Sequence, residues 1–194
     1  MSDTTTTTPT RTVDGRNVPA AGTWAVDTTH STVDFVVRHL AVAKSRGRFA
    51  EWDATFVVAE RPEESSVTAT FQAASISTGD DTRDGHLQSP DFLDVEHFPT
   101  VTFVSTSVTP VNDATWSVVG DLTIHGTSKP VTLTVEFAGV TTDPWGTDKA
   151  FFSASTEFDR EDWGLTYNAP LASGGVLIGK KVKIEIEIEA AQAS

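Results

Sequence analysis

The chain has no cysteine, which excludes disulfides, a thiolate-ligated metal and a cysteine nucleophile. Cationic charge is scarce as well: 14 Lys and Arg stand against 27 Asp and Glu, a formal charge of −13 over 194 residues. Nucleic acid and anionic membranes both demand a cationic patch, so neither is an expected partner. No run of eighteen apolar residues occurs, and stable membrane insertion is not expected. Met1-Ser2-Asp3 followed by five threonines lacks a cationic n-region and an apolar h-region. On that reading no secretory signal is expected, and the expected location is cytoplasmic. A Gly-x-Ser-x-Gly elbow is missing, and Ser173-Gly174-Gly175 lacks the Gly-Lys-Ser/Thr sequel of a phosphate loop.

What the chain does have is alternation. Residues 1–20 are Thr-, Pro- and Gly-biased without periodicity and read as a flexible N-terminal tail. From about residue 21 to residue 190 the dominant period is two, the signature of half-buried strands. Val33, Phe35, Val37 and His39 share a face, as do Trp52, Ala54, Phe56 and Val58. Val67, Ala69, Phe71 and Ala73 form another row, followed by Trp116, Val118, Gly120, Leu122 and Ile124. Val131 to Phe137 repeats the pattern, and Val182, Ile184, Ile186 and Ile188 alternate with Lys and Glu. Turn signals separate these rows, among them Asn112-Asp113, His125-Gly126 and Asp143-Pro144-Trp145-Gly146, so neighbouring strands are antiparallel hairpins. About eight or nine strands are expected, and residues 65–78 alone would span roughly 45 Å as one strand. Residues 191–194 are a C-terminal tail.

The stretch from Asp80 to Phe98 breaks the alternation. Asp80 suits the cap of a first helix, and Ser89-Pro90-Asp91 suits the start of a second. A further helical turn is expected over Asp159–Gly164. One apolar face per strand, many hairpins and a lid-like helical segment favour an all-β antiparallel barrel over a sandwich.

No catalytic constellation is legible. His30 and His39 are nine apart and would point to opposite faces of one strand; Pro90 separates His86 from His97; His125 lies at a turn. No metal is expected, and the histidines read as polar groups satisfied at barrel ends. Glu157, Asp159, Glu161 and Asp162 look like capping residues on a wet surface around Arg160, not a hydrolytic carboxylate pair. Lys44, Arg46 and Arg48, with Arg38, form the one local cationic group.

Several spaced motifs resemble the YceI-like family, lipocalin-like polyisoprenoid-binding proteins of bacteria. They are Trp24-Ala-Val-Asp-Thr-Thr-His30-Ser31-Thr-Val33-Asp-Phe35, Val37-Arg-His39-Leu40 and Gly47-Arg-Phe49. They continue with His86-Leu-Gln-Ser-Pro-Asp-Phe92 through His97-Phe98-Pro99, Gly120-Asp-Leu122-Thr-Ile-His125-Gly126-Thr-Ser-Lys129-Pro130 and Arg160-Glu-Asp-Trp-Gly164. The resemblance covers roughly residues 22–190. It implies an eight-stranded antiparallel lipocalin-like barrel with a short helical insertion, enclosing an elongated apolar pocket. It further implies a long-chain isoprenoid lipid as ligand, an isoprenoid quinone or a polyprenyl phosphate or diphosphate, held for carriage or storage without enzymatic chemistry. No other cofactor is implied, and a homodimer is compatible with it. Two departures stand out: many members carry a secretion signal, and Gly179-Lys180-Lys181-Val182 stands where an acidic residue is common.

The inward rows supply the expected walls: Phe35, Val37, Trp52, Phe56, Phe71, Phe103, Leu122, Phe137 and Phe152, with His39 near a headgroup. Arg46 and Arg48 are candidate headgroup anchors, since arginine forks match phosphate oxygens. The small residues Ala54, Ala69, Ala73, Gly120 and Ala154 either leave a channel or accommodate large neighbours. In the second case the barrel is filled and serves protein interaction, in a stress response for example.

Overall fold

The computed structural model describes residues 9–40, 42–172 and 174–193. A hairpin of β1 (Thr10–Val13) and β2 (Arg16–Pro19) comes first. Six short strands follow: β3 (Gly22–Val26), β4 (Thr32–His39), β5 (Ala43–Phe49), β6 (Trp52–Val58), β7 (Ser66–Gln72) and β8 (Ile76–Ser77). Helix α1 (Asp81–Gln88) separates them from five long ones: β9 (Thr100–Pro110), β10 (Thr115–Ile124), β11 (Thr127–Thr142), β12 (Asp148–Asp159) and β13 (Ile178–Gln192).

These strands make eight staves of a closed antiparallel barrel in chain order. β3 and β4 are two halves of one stave, because both pair with the same side of β13. β5 and β6 form the second stave, β7 and β8 the third. The third continues to β9, β10, β11 and β12, and β12 closes on β13 through eleven paired residues from Lys149↔Ala191 to Asp159↔Lys181. Closure leaves no long sheet edge to pair with another chain. Strands of 16 and 15 residues in β11 and β13, at about 3.3 Å per residue and a tilt near 40°, make a barrel roughly 35–40 Å tall.

Local chemistry explains the breaks in the first and third staves. Between β3 and β4, Asp27 Oδ1 accepts from the Thr29 amide (3.0 Å) and hydroxyl (2.6 Å), turning the chain out of the ladder. Ser31 then replaces a backbone rung: its Oγ accepts from the Glu189 amide (2.9 Å) and donates to the Glu189 carbonyl (3.2 Å). The single strand expected over 65–78 is interrupted by a 3-10 turn at Ala73–Ser75. Ser75 Oγ donates to the Gln72 carbonyl (2.7 Å) and accepts from the Glu51 amide (3.0 Å), competing locally with the ladder.

Three further expectations need correction. The tail assigned to residues 1–20 contains an ordered hairpin over 10–19 in its described part, and residues 1–8 lie outside the described residues. Val18 and Ala20 are buried, and Arg11 donates to the carbonyls of Ala59 and Glu60, strapping the hairpin across one end of the barrel. At the other terminus β13 runs to Gln192, two residues into the expected tail. The second helix expected from Ser89 is a chain of turns. Ser89 caps the end of α1, with its Oγ donating to the His86 carbonyl (2.8 Å). The Asp80 cap is present, accepting from the Arg83 amide (2.9 Å), and the helical turn at Arg160–Trp163 forms as expected.

Apolar packing gathers at the two ends. Near the hairpin, Ala20, Trp24, Val58, Phe137, Ala150 and Ala190 form one cluster. Trp24 is fully buried, donates from Nε1 to the Ala20 carbonyl (3.1 Å) and stacks on Phe56. Toward the helix, Phe71, Leu93, Phe103, Phe158, Trp163 and Leu165 belong to the other. Among the described residues no helix is long and apolar enough to cross a membrane.

Candidate ligand cavity

The two clusters do not fill the barrel. A cavity of about 910 Å³ runs between them, bordered by Val18 and Pro19 at the hairpin end and by Arg83, Leu87 and Tyr167 at the helix end. That volume is near the top of the roughly 300–1,000 Å³ usual for small-molecule sites. Every stave contributes its inward row, because the side-chain period of two sends alternate residues to the lumen. Phe35, Val37, Trp52, Phe56, Phe71, Phe103, Leu122, Phe137 and Phe152 all border the cavity. His39 does too, at the exposed rim rather than within.

The small residues divide into two roles. At Gly47 and Gly120 a Cβ would collide with the rings of Phe35 and Phe103, so these glycines accommodate large neighbours. Ala54, Ala69 and Ala154 border open space instead. The lumen is therefore channelled in the middle and packed where the glycines lie.

Arg46 and Arg48 do not fit the anchor role. Ser45 and Phe49 border the lumen, which turns the residues between and beside them at 46 and 48 outward. Arg46 Nη1 lies 2.7 Å from Glu185 Oε2 and Arg48 Nε lies 3.3 Å from Asp34 Oδ1. Hydrogen bonds from Lys183 and Arg46 hold the Glu185 carboxyl down to about 2.

The buried cation is Arg160, which looked like part of a wet capping cluster. Only 3% of it is exposed, and it borders the cavity. Its Nε donates to the Gly179 carbonyl (3.1 Å), and Nη1 donates to the Leu165 carbonyl. Among the described residues its Nη2 has no partner. Burial pushes its pKa down, countered by the charges of Glu161 and Asp159. The signal was present in the sequence: Phe152, Ala154, Thr156 and Phe158 are the inward row of β12, and Arg160 is the next step of the same row.

The helix end is also the polar end. Arg83 on α1 donates from Nε to Thr78 Oγ1 (2.7 Å), and Asp84 accepts from the Thr78 amide (2.8 Å), pinning α1 to the end of β8. His86, Phe92 and Tyr167 pack ring against ring at 4.7–5.2 Å beside the opening. His86 Nε2 is 2.9 Å from Asp91, His97 Nδ1 is 2.9 Å from Asp94, and His125 packs on Phe98. The Asp94 carboxylate holds the His97 pKa above its ordinary value.

One group among the described residues brings metal-ligand atoms together: Asp27, His30 and Glu189, within 4.8 Å of one another at the β3–β4 break. An ammonium already serves the two carboxylates there. Lys149 Nζ lies 3.4 Å from Asp27 and 3.2 Å from Glu189. Burial works against the Lys149 charge, yet hydrogen bonds to Glu189 and Asp27 keep its pKa above the ordinary value. Hydrogen bonds from Thr29 and His30, then Lys149, hold the Asp27 carboxyl well below the usual range.

The family model for the YceI-like domain matches residues 24–190. A UPF0312 protein of Pseudomonas savastanoi pv. phaseolicola is 39% identical over 142 residues, covering 73% of this chain and 74% of that protein. A UPF0312 protein of Pseudomonas putida is 40% identical over 137 residues, covering 70% and 71%. Among solved structures, a Campylobacter jejuni YCEI protein superposes with a TM-score of 0.69 at 27% identity, over 81% of this chain and 90% of that one. Burkholderia cenocepacia BcnA gives 0.73 at 22% identity, over 84% and 98%. A polyisoprenoid binding domain from Saccharophagus degradans gives 0.65 at 16% identity, over 88% and 98%. At these last two identities the likeness is one of fold.

Proposed function

The chain belongs to the YceI-like family, and from that premise we propose that it binds one long-chain isoprenoid lipid for carriage or storage. The ligand class is an isoprenoid quinone or a polyprenyl phosphate or diphosphate. The observation that carries this reading is the end-to-end apolar cavity of about 910 Å³ inside a closed barrel. A void of that size forfeits packing contacts that protein interiors normally make, and an apolar chain restores them. Each prenyl methylene taken out of water contributes about 0.8 kcal/mol, so affinity accumulates along the chain. The description of the Saccharophagus domain as polyisoprenoid-binding supports the same ligand class on the same barrel.

Binding without catalysis is the consistent role. Among the described residues the cavity border holds one carboxylate, Asp80, whereas hydrolytic sites use two groups with separated pKa values. The segment from Asp80 to Phe98, resting on Leu87 and Leu93, would govern entry. A filled barrel devoted to protein interaction lacks the open lumen described above.

Organic extraction of the purified protein followed by mass spectrometry tests the reading. One isoprenoid per chain is the expected result. Repeatedly empty extracts, together with no uptake of added quinone or polyprenyl phosphate, would overturn it.

A further inference from the structure

Polarity is distributed unevenly along the lumen. The arginine, histidine and aspartate residues that border it, Arg38, His39, Asp80, Arg83, His86 and Arg160, all belong to the helix end. The hairpin end offers valines, prolines and two serines, Ser65 and Ser66. Three arginines against one aspartate make a local cationic excess in a chain whose formal charge is −13.

Within that group Arg160 is the one without an adequate partner. Arg38 is exposed and donates to the Val42 carbonyl (3.3 Å), and Arg83 is tied to Thr78. Arg160 is buried, meets only two backbone carbonyls, and forms no ion pair among the described residues. The two carboxylates whose charge reaches it are engaged elsewhere. Asp159 accepts from the Glu161 amide (3.0 Å), and Glu161 accepts from Lys180 Nζ (2.6 Å). A guanidinium keeps its charge at any physiological pH, and a buried charge lacking a counter-ion is a standing cost. An oxyanion brought in by the ligand removes that cost.

We infer that Arg160 is the headgroup contact of the cavity and that the preferred ligand is a prenyl chain ending in phosphate. The chain lies with its apolar tail toward Trp24 and the β1–β2 hairpin and its phosphate at the helix end. There Arg160 supplies the buried donor, and Arg38 and Arg83 supply charge at the rim. This assignment rests on the isoprenoid reading above and narrows it from isoprenoids in general to anionic ones.

Geranylgeranyl phosphate and geranylgeraniol share one chain and differ only in the headgroup. Each is titrated into the full-length protein while tryptophan fluorescence is followed, since Trp52 and Trp116 border the cavity. The wild type is expected to bind the phosphate at least tenfold more tightly than the alcohol. Arg160→Gln is expected to lose that preference while its affinity for the alcohol changes less than threefold. Arg160→Lys, which keeps the charge but not the fork, is expected to retain part of it. Equal wild-type affinity for the two ligands overturns the assignment and leaves the isoprenoid reading standing; this arm needs no variant and so survives a misfolded Arg160→Gln. A preference that persists undiminished in Arg160→Gln also overturns it. Failure of both ligands to bind the wild type overturns the isoprenoid reading itself.

Discussion

At the scale of single residues, the β3–β4 break shows how few side chains hold a stave together. Ser31 is buried and exchanges two hydrogen bonds with the Glu189 backbone. Ser31→Ala leaves that amide without a partner among the described residues, while the carbonyl keeps its bond from the Asp27 amide (2.8 Å); an unsatisfied buried group costs about 1–3 kcal/mol. Denaturant unfolding is expected to show a loss of that size with an unchanged m-value. Asp27 beside it makes stability depend on pH. Its folded pKa is depressed by Thr29, His30 and Lys149, so its contribution is present above the unfolded carboxylate value and is lost as pH falls toward the folded one. The His30 pKa is raised by Asp27, so its share is present below the ordinary histidine value and is lost as pH rises through the folded one. The difference in Tm between wild type and Asp27→Asn is therefore expected to be largest near pH 5–6. It is expected to close steadily toward pH 2, as measured by thermal scans across the pH range.

At the scale of elements, the N-terminal hairpin decides whether the barrel is a tube or a cup. Val18 and Pro19 border the cavity, Ala20 joins the packed cluster around Trp24, and Arg11 straps the hairpin to the turn after β6. Deleting residues 1–20 is expected to speed release of a bound isoprenoid severalfold in a stopped-flow exchange assay, while the barrel's circular dichroism is retained. Its signal in the sequence was short: Asp14-Gly15, with φ of 49° and 80°, is the two-residue turn that joins hairpins. It was flanked by strands of four residues, too brief for a period to emerge. The rows Val131–Phe137 of β11 and Val182–Ile188 of β13 were legible because alternation runs uninterrupted through each. The broken staves were legible as rows but not as breaks, because a serine hydroxyl bonded to the backbone has no periodic trace.

At the scale of the whole molecule, most of the lumen's walls could be read from alternation: Phe35, Val37, Trp52, Phe56, Phe71, Leu122 and Phe137 come from alternating rows and border it. Its charged end could not be assigned by composition. The conspicuous cations Arg46 and Arg48 face Glu185 and Asp34 on the outside, whereas the inconspicuous Arg160 lies inside among acidic neighbours in sequence. Parity along β5 and β12 separates the two cases, and charge density does not. Whether the lumen is open was also beyond the sequence, because glycine and alanine look equally small. Only the barrel's packing shows Phe103 over Gly120 and open space beside Ala69. Ala69→Trp places an indole in that space, so it tests most directly whether the cavity holds the prenyl chain. In side-by-side calorimetric titrations with geranylgeranyl phosphate, the wild type is predicted to bind one molecule per chain. The Ala69→Trp variant, at a Tm no lower than wild type by more than a few degrees, is predicted to bind at least tenfold more weakly. Equal binding by the two proteins would contradict a chain held in the lumen.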